Sequence, residues 1–190
     1  VSYHLIFDAA IPPTRPPSSA EGVMGYLGGP RAANTWSLED WLPFAGLRQF
    51  GVYVPDVSAN PLSQARQAVQ LALALGWSDK MQGAEQRAII ADMETSADPG
   101  WYDKFATDVS AHGFIPVAYG SLSTVLDNAA ADVIAADWNW QVPTIPPGQT
   151  FHGGQYAANK EFDNTTIDYS AFDDSLFQRG GVRARHKAAA

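Results

Sequence analysis

Apolar and polar positions alternate between two rhythms along the chain. Short, nearly continuous apolar runs of four to seven residues recur, as in "YHLIFD" (3–8), "GVMGYLGG" (22–29), "QFGVYVPDV" (49–57), "RAIIADME" (87–94), "FIPVAYG" (114–120) and "DVIAADW" (132–138). Runs of this length and composition read as buried strands. Between them apolar residues return at helical spacing. Leu62, Ala65, Ala68, Val69, Ala72, Leu73 and Leu75 form one stripe, opened by Asn60-Pro61 and closed by Gly76. Trp101, Phe105 and Val109 form another, starting after Asp98-Pro99 and ending at Gly113. Ser37 and Asp40 give a helix-start signature cut short by Pro43, and "SLSTVLDNA" (121–129) predicts a further short helix. "IPPTRPPSS" (11–19) is a proline-rich loop, because proline cannot sit inside a paired strand. "TFHGGQYA" (150–157) and "TTIDYSAF" (165–172) complete a set of eight predicted strands, the last running into a terminal turn or helix.

Strands alternating with helices predict an α/β fold with a parallel sheet and helices outside it. Eight of them in 190 residues allow a small, distorted or partial (β/α)8 barrel. An open doubly wound sheet is the alternative. No GxGxxG follows the first strand and no GxxxxGK[ST] occurs anywhere, so nucleotide cofactors have no motif here. No internal repeat or heptad pattern is present.

Charge narrows the partners. The net charge is -8, yet Arg179, Arg183, Arg185 and Lys187 lie in the last twelve residues with no acid among them. The body up to Gln178 carries 20 acids against 8 bases, which disfavours nucleic acid and anionic surfaces. Residues 1–178 are expected to be one domain, and 179–190 a basic tail, either a linker stub leading to further domains of a larger protein or a remnant of cloning. No apolar run reaches the roughly 18 residues of a membrane span, so no membrane insertion is expected. Cysteine is absent, which removes disulfides, thiolate nucleophiles and cysteine metal sites.

The acids at strand ends carry the candidate chemistry. Asp8, Asp92 with Glu94, and Asp168 each close an apolar run. In a parallel barrel these are C-terminal ends, where active-site loops meet. Asp92 and Glu94 are two apart and share a strand face. If the sheet closes, the eighth strand lies beside the first, and Asp168 meets Asp8. Crowded carboxylates cannot all ionise freely, so at least one pKa should rise. A protonated acid beside an ionised neighbour is the division of labour that glycosidic cleavage needs. Glu94, further along the strand and longer, is the expected acid. The competing structural role is helix capping or loop-amide binding by the same carboxylates.

Tyr119, Trp138, Gln155 and Tyr156 sit at the ends of later strands, where rings stack on sugars and amides bind hydroxyl or N-acetyl groups. The same rings also serve as core. His152 is either a donor at the barrel mouth or a loop or core residue. An oxygen-rich cluster also suits magnesium or calcium. The chain has no DxDxDG loop and no HExxH, and no metal or other cofactor is assigned. A Ser-His-Asp hydrolase lacks its GxSxG elbow.

Asp8, "DME" (92–94), "AYG" (118–120), "DW" (137–138), "GGQY" (153–156) and "IDYSAF" (167–172) together resemble the family 25 glycoside hydrolases, the lysozyme-like muramidases. "FDAA" (7–10) followed by "GYLGG" (25–29) is closer to the related glycoside-hydrolase-like barrels, domain of unknown function 1906. "GYLGG" departs from the Lys-Ala-Thr-Glu-like segment of true family 25 enzymes. The resemblance spans residues 4–177. It implies a distorted (β/α)8 barrel and, for muramidases, cleavage of the β-1,4 bond after N-acetylmuramic acid. It further implies Glu94 as general acid, Asp92 as the group that positions the substrate N-acetyl or supports charge at the sugar, and Asp8 and Asp168 as groups that shape and polarise the site. The expected partner is a glycan, peptidoglycan above all, and the expected location extracellular, at a cell surface or on a virion. A non-catalytic glycan-binding or structural barrel, as in a phage tail, is the second reading.

Overall fold

A computed structural model describes residues 3–77, 87–93, 95, 97, 98, 100–121, 123–125, 133–136 and 152–180; of 133–136, 179 and 180 it describes the backbone alone. Eight strands close into a barrel in the order of the sequence: β1 (Tyr3–Asp8), β2 (Gly22–Gly28), β3 (Arg48–Tyr53), β4 (Ala88–Asp92), β5 (Ile115–Ser121), β6 (Val133–Ala136), β7 (Gly153–Phe162) and β8 (Thr165–Asp173). Strands β1 to β7 run parallel to one another in succession. β8 is antiparallel to both β7 and β1. This corrects the all-parallel expectation and gives the barrel its distorted character. The cause is local: β7 and β8 are joined by Asp163-Asn164 alone, both with positive φ (49° and 64°). A two-residue loop of this kind makes a tight hairpin, not a crossover.

The helices follow their sequence signals. Ser37 caps α1 (Leu38–Trp41) through a reciprocal box with Asp40, and Pro43 turns the next residues into a 3₁₀ turn, Leu42–Phe44. The Asn60 side chain accepts from the backbone N–H of Leu62 and Ser63 to start α2 (Pro61–Ala74). α3 (Trp101–Ala111) starts from Gly100 at φ 77°. α4 (Asp174–Gly180) follows β8 directly. β3 ends at Tyr53, earlier than expected, because Pro55 has no N–H for the ladder.

Alternation sorts the strand residues into two apolar clusters. One face packs outward under the helices, with Phe7, Val23, Tyr53, Ile89 and Ala118 against Ala65, Val69, Trp101 and Phe105. The other faces the barrel interior, with Ile6, Met24, Phe50, Val52, Ile90, Val117 and Phe172. The lower half of that interior is sealed by rings. Phe50 and Phe172 meet edge to face at 5.0 Å, and Phe177 of α4 stacks on His4 at 3.8 Å. Inward-facing glycines make room for them: a Cβ on Gly153 would stand 2.7 Å from the Phe172 ring, and one on Gly22 3.2 Å from Phe50.

Candidate active site

The acids occupy the upper end of the same inward-facing rows. β1 carries Ile6 and then Asp8, β4 carries Ile90 and then Asp92, and β8 carries Phe172, Ser170 and Asp168 in descending number. Because β8 runs backward, Asp168 is not at a C-terminal strand end, as expected, but near the start of its strand. The reversal still brings it to the mouth, where its Cα pairs directly with that of Asp8. Asp92 pairs with Tyr119 of β5, and the Met93 N–H donates to the Tyr119 carbonyl at 2.8 Å.

Asp8, Asp92, Asp168 and Tyr119 line one cavity of about 60 Å³ with Met24, Tyr26 and Val52. Three carboxylates 84 and 76 residues apart in sequence therefore converge through β1, β4 and β8. Tyr26 of β2 was not anticipated. Its inward position could have been read from the alternation in "GVMGYLGG", two residues after Met24.

Asp8 is 8% exposed, and its Oδ2 has no hydrogen-bond partner among the described residues. Burial, then the charges of Asp168 and Asp92, push its pKa well above the usual carboxylate range, against a hydrogen bond from Gln155. Asp168 is also raised by burial, opposed by hydrogen bonds from the Asn159 backbone and the Gln155 side chain. The Tyr119 phenol is raised by burial and by Asp8, Asp92 and Asp168 in the same cavity, so it stays protonated and can donate.

Gln155 is 2% exposed, and its Nε2 donates to Asp168 Oδ2 at 2.9 Å. Its amide is directed at the acids and holds them. Tyr156, next along β7, is half-buried, is influenced by Tyr169, and does not line the cavity. Glu94 and Trp138 lie outside the described residues. His152 precedes β7 and sits at the opposite end of the barrel, not at the mouth. There it meets Asp173 Oδ2 at 2.9 Å and Ser175 Oγ at 2.7 Å. These are the residue types of a hydrolytic triad, but Asp173 and Ser175 both reach Nδ1, whereas a relay needs the two ring nitrogens separately. Asp173 Oδ1 also accepts the Leu176 N–H, so the cluster starts α4. Among the described residues, no group of three or more His, Cys, Asp or Glu is arranged to hold a metal ion, and no helix is long and apolar enough to cross a membrane.

No protein-family model matches the chain, and no curated protein matches it. Solved structures do. The Clostridium perfringens spore cortex lytic enzyme SleM superposes with a TM-score of 0.67 at 13% identity, over 94% of this chain and 69% of that one. The lysozyme of Streptomyces coelicolor gives 0.64 at 14% identity, over 94% and 96%. The Tat-secreted protein Rv2525c of Mycobacterium tuberculosis gives 0.64 at 17%, over 94% and 99%. The chain therefore has a lysozyme-like barrel fold.

Proposed function

We propose that the chain is a glycoside hydrolase acting on bacterial cell-wall glycan. The observation that carries this reading is the convergence of Asp8, Asp92 and Asp168 with Tyr119 and Tyr26 around one cavity at the barrel mouth. Two of its structural neighbours are named for lysis, a spore cortex lytic enzyme and a lysozyme. Glu94, two residues beyond Asp92, is the proposed general acid, which gives its proton to the glycosidic oxygen as the bond to the sugar carbon breaks, and a water oxygen ends on that carbon in its place. Asp92 positions the N-acetyl group or supports charge at the sugar. Asp8 and Asp168 shape and polarise the mouth. Tyr119 contributes a phenolic donor.

Purified peptidoglycan offered to wild type and Glu94→Gln, with and without EDTA, tests the reading. Release of new reducing ends by wild type, insensitive to chelator and lost in a folded Glu94→Gln protein, is the expected result. Wild type that binds the glycan but releases nothing supports the binding-module alternative. Release that EDTA abolishes overturns a metal-independent mechanism.

A further inference from the structure

β7 does not pair evenly with β8. The register runs from Gly153↔Phe172 to Gln155↔Ser170, then slips at Ala157↔Tyr169 and again at Lys160↔Ile167. Gln155 to Lys160 takes five steps along β7 while Ser170 to Ile167 takes three along β8, so two extra residues bulge out beside Asp168. Within that bulge Asn159 has φ 54°. The left-handed region is rare for residues other than glycine, and asparagine is among the few that tolerate it. The Asn159 side chain is exposed, so its packing does not explain the conformation. The backbone does: its N–H donates to Asp168 Oδ1 at 2.6 Å, while Gln155 Nε2 holds Oδ2. An even ladder gives that N–H to a strand carbonyl instead. Bulges beside sites often re-aim a group in this way.

We propose that Asn159 is a positioning residue of the mouth, whose left-handed bulge turns a backbone N–H onto Asp168 and fixes that carboxylate opposite Asp8. Its meaning for catalysis rests on the glycosidase reading; its effect on Asp168 does not. The groups facing Asp168 are Asp8 from β1, Tyr26 from β2, Asp92 from β4, Tyr119 from β5 and Gln155 from β7. Burial disfavours its charged form, and the two donors, Asn159 and Gln155, oppose that shift. Loss of the Asn159 donor should raise its pKa.

The test compares Asn159→Gly, which keeps both φ and N–H, with Asn159→Val, whose branched side chain opposes positive φ. Carbon-13 carboxyl NMR follows the Asp168 titration, assigned by its absence in Asp168→Asn, and thermal melting confirms folding. Asn159→Gly is expected to titrate as wild type. Asn159→Val should raise the Asp168 midpoint by about half a pH unit or more, shift the pH profile of glycan cleavage the same way, and lower kcat about tenfold with little change in KM. Asn159→Ala replaces the valine variant if that one does not fold. A folded Val or Ala variant with an unmoved Asp168 midpoint overturns the proposal, as does a Gly variant that shifts as far. If wild type cleaves no glycan, the carboxyl titration still decides the role of Asn159, while the glycosidase reading fails separately.

Discussion

The two ends of one barrel interior are built on the same rows of inward-facing positions and to opposite purposes. At the floor, Phe50, Phe172, Leu176 and Phe177 interdigitate and are almost fully buried. At the mouth, β1, β4 and β8 present Asp8, Asp92 and Asp168 around a polar cavity. β8 joins the two: Phe172 pairs with His4 at the floor, and four residues earlier Asp168 pairs with Asp8 at the mouth. The floor supplies stability through apolar burial. The mouth buries a carboxyl oxygen of Asp8 that has no partner among the described residues, an arrangement that costs stability. Sites that oppose stability while the surrounding core sustains it are the usual mark of function.

Substitutions at each end should therefore have opposite profiles. The largest stability effect belongs to the floor. Phe172→Ala should destabilise by about 3–5 kcal/mol, the usual range for a buried ring removed without refilling, as read by denaturant unfolding. At the mouth, Asp8→Asn should do the reverse. With its pKa raised in the folded protein, Asp8 retains a proton that the unfolded chain releases above its ordinary 3.8. Stability therefore falls as pH rises from that value through the raised one. Asp8→Asn should flatten this slope and leave the protein at least as stable as wild type at neutral pH, measured by unfolding at a series of pH values.

Asn60→Ala lies outside both ends and serves as the reference. It removes the cap of α2 and should cost about 1 kcal/mol, with unchanged glycan cleavage. The smallest effect is expected at the edge of the floor, where His4 contacts Glu21 at 2.9 Å and Asp174 at 2.7 Å. Burial works against its charge, but the hydrogen bonds to the two acids prevail and raise its pKa above 6.5. The stabilisation is complete below 6.5 and fades as pH rises through the raised value. His4→Gln should remove that slope and leave the one due to Asp8 in place, since the two groups titrate from different starting points.

Much of this arrangement was legible in the sequence where a local rule dictates it. The Asn60-Pro61 cap, the Ser37–Asp40 box, and the stripes Ala65–Ala72 and Trp101–Val109 appear where expected, because capping and period depend on near neighbours. Asp8, Asp92 and Asp168 were singled out together, and they meet. The direction of β8 was missed although "EFDNTT" carries its signal: two residues that tolerate positive φ between two strands specify a hairpin. Apolar runs alone do not distinguish a parallel strand from an antiparallel one. Tyr26 and the bulge at Asn159 were missed for a different reason. Tyr26 matters through a cavity shared by distant strands. Asn159 matters through a backbone N–H, which no side-chain pattern records.

The most direct test of the mouth as a catalytic site measures reducing-end release and thermal stability on the same samples of wild type and Asp8→Asn. Asp8→Asn is expected to melt no lower than wild type at neutral pH yet to release reducing ends from peptidoglycan at least about tenfold more slowly, the scale on which positioned polar groups act. A variant that melts as high and cleaves as fast as wild type, or one that loses cleavage only as it unfolds, would contradict it.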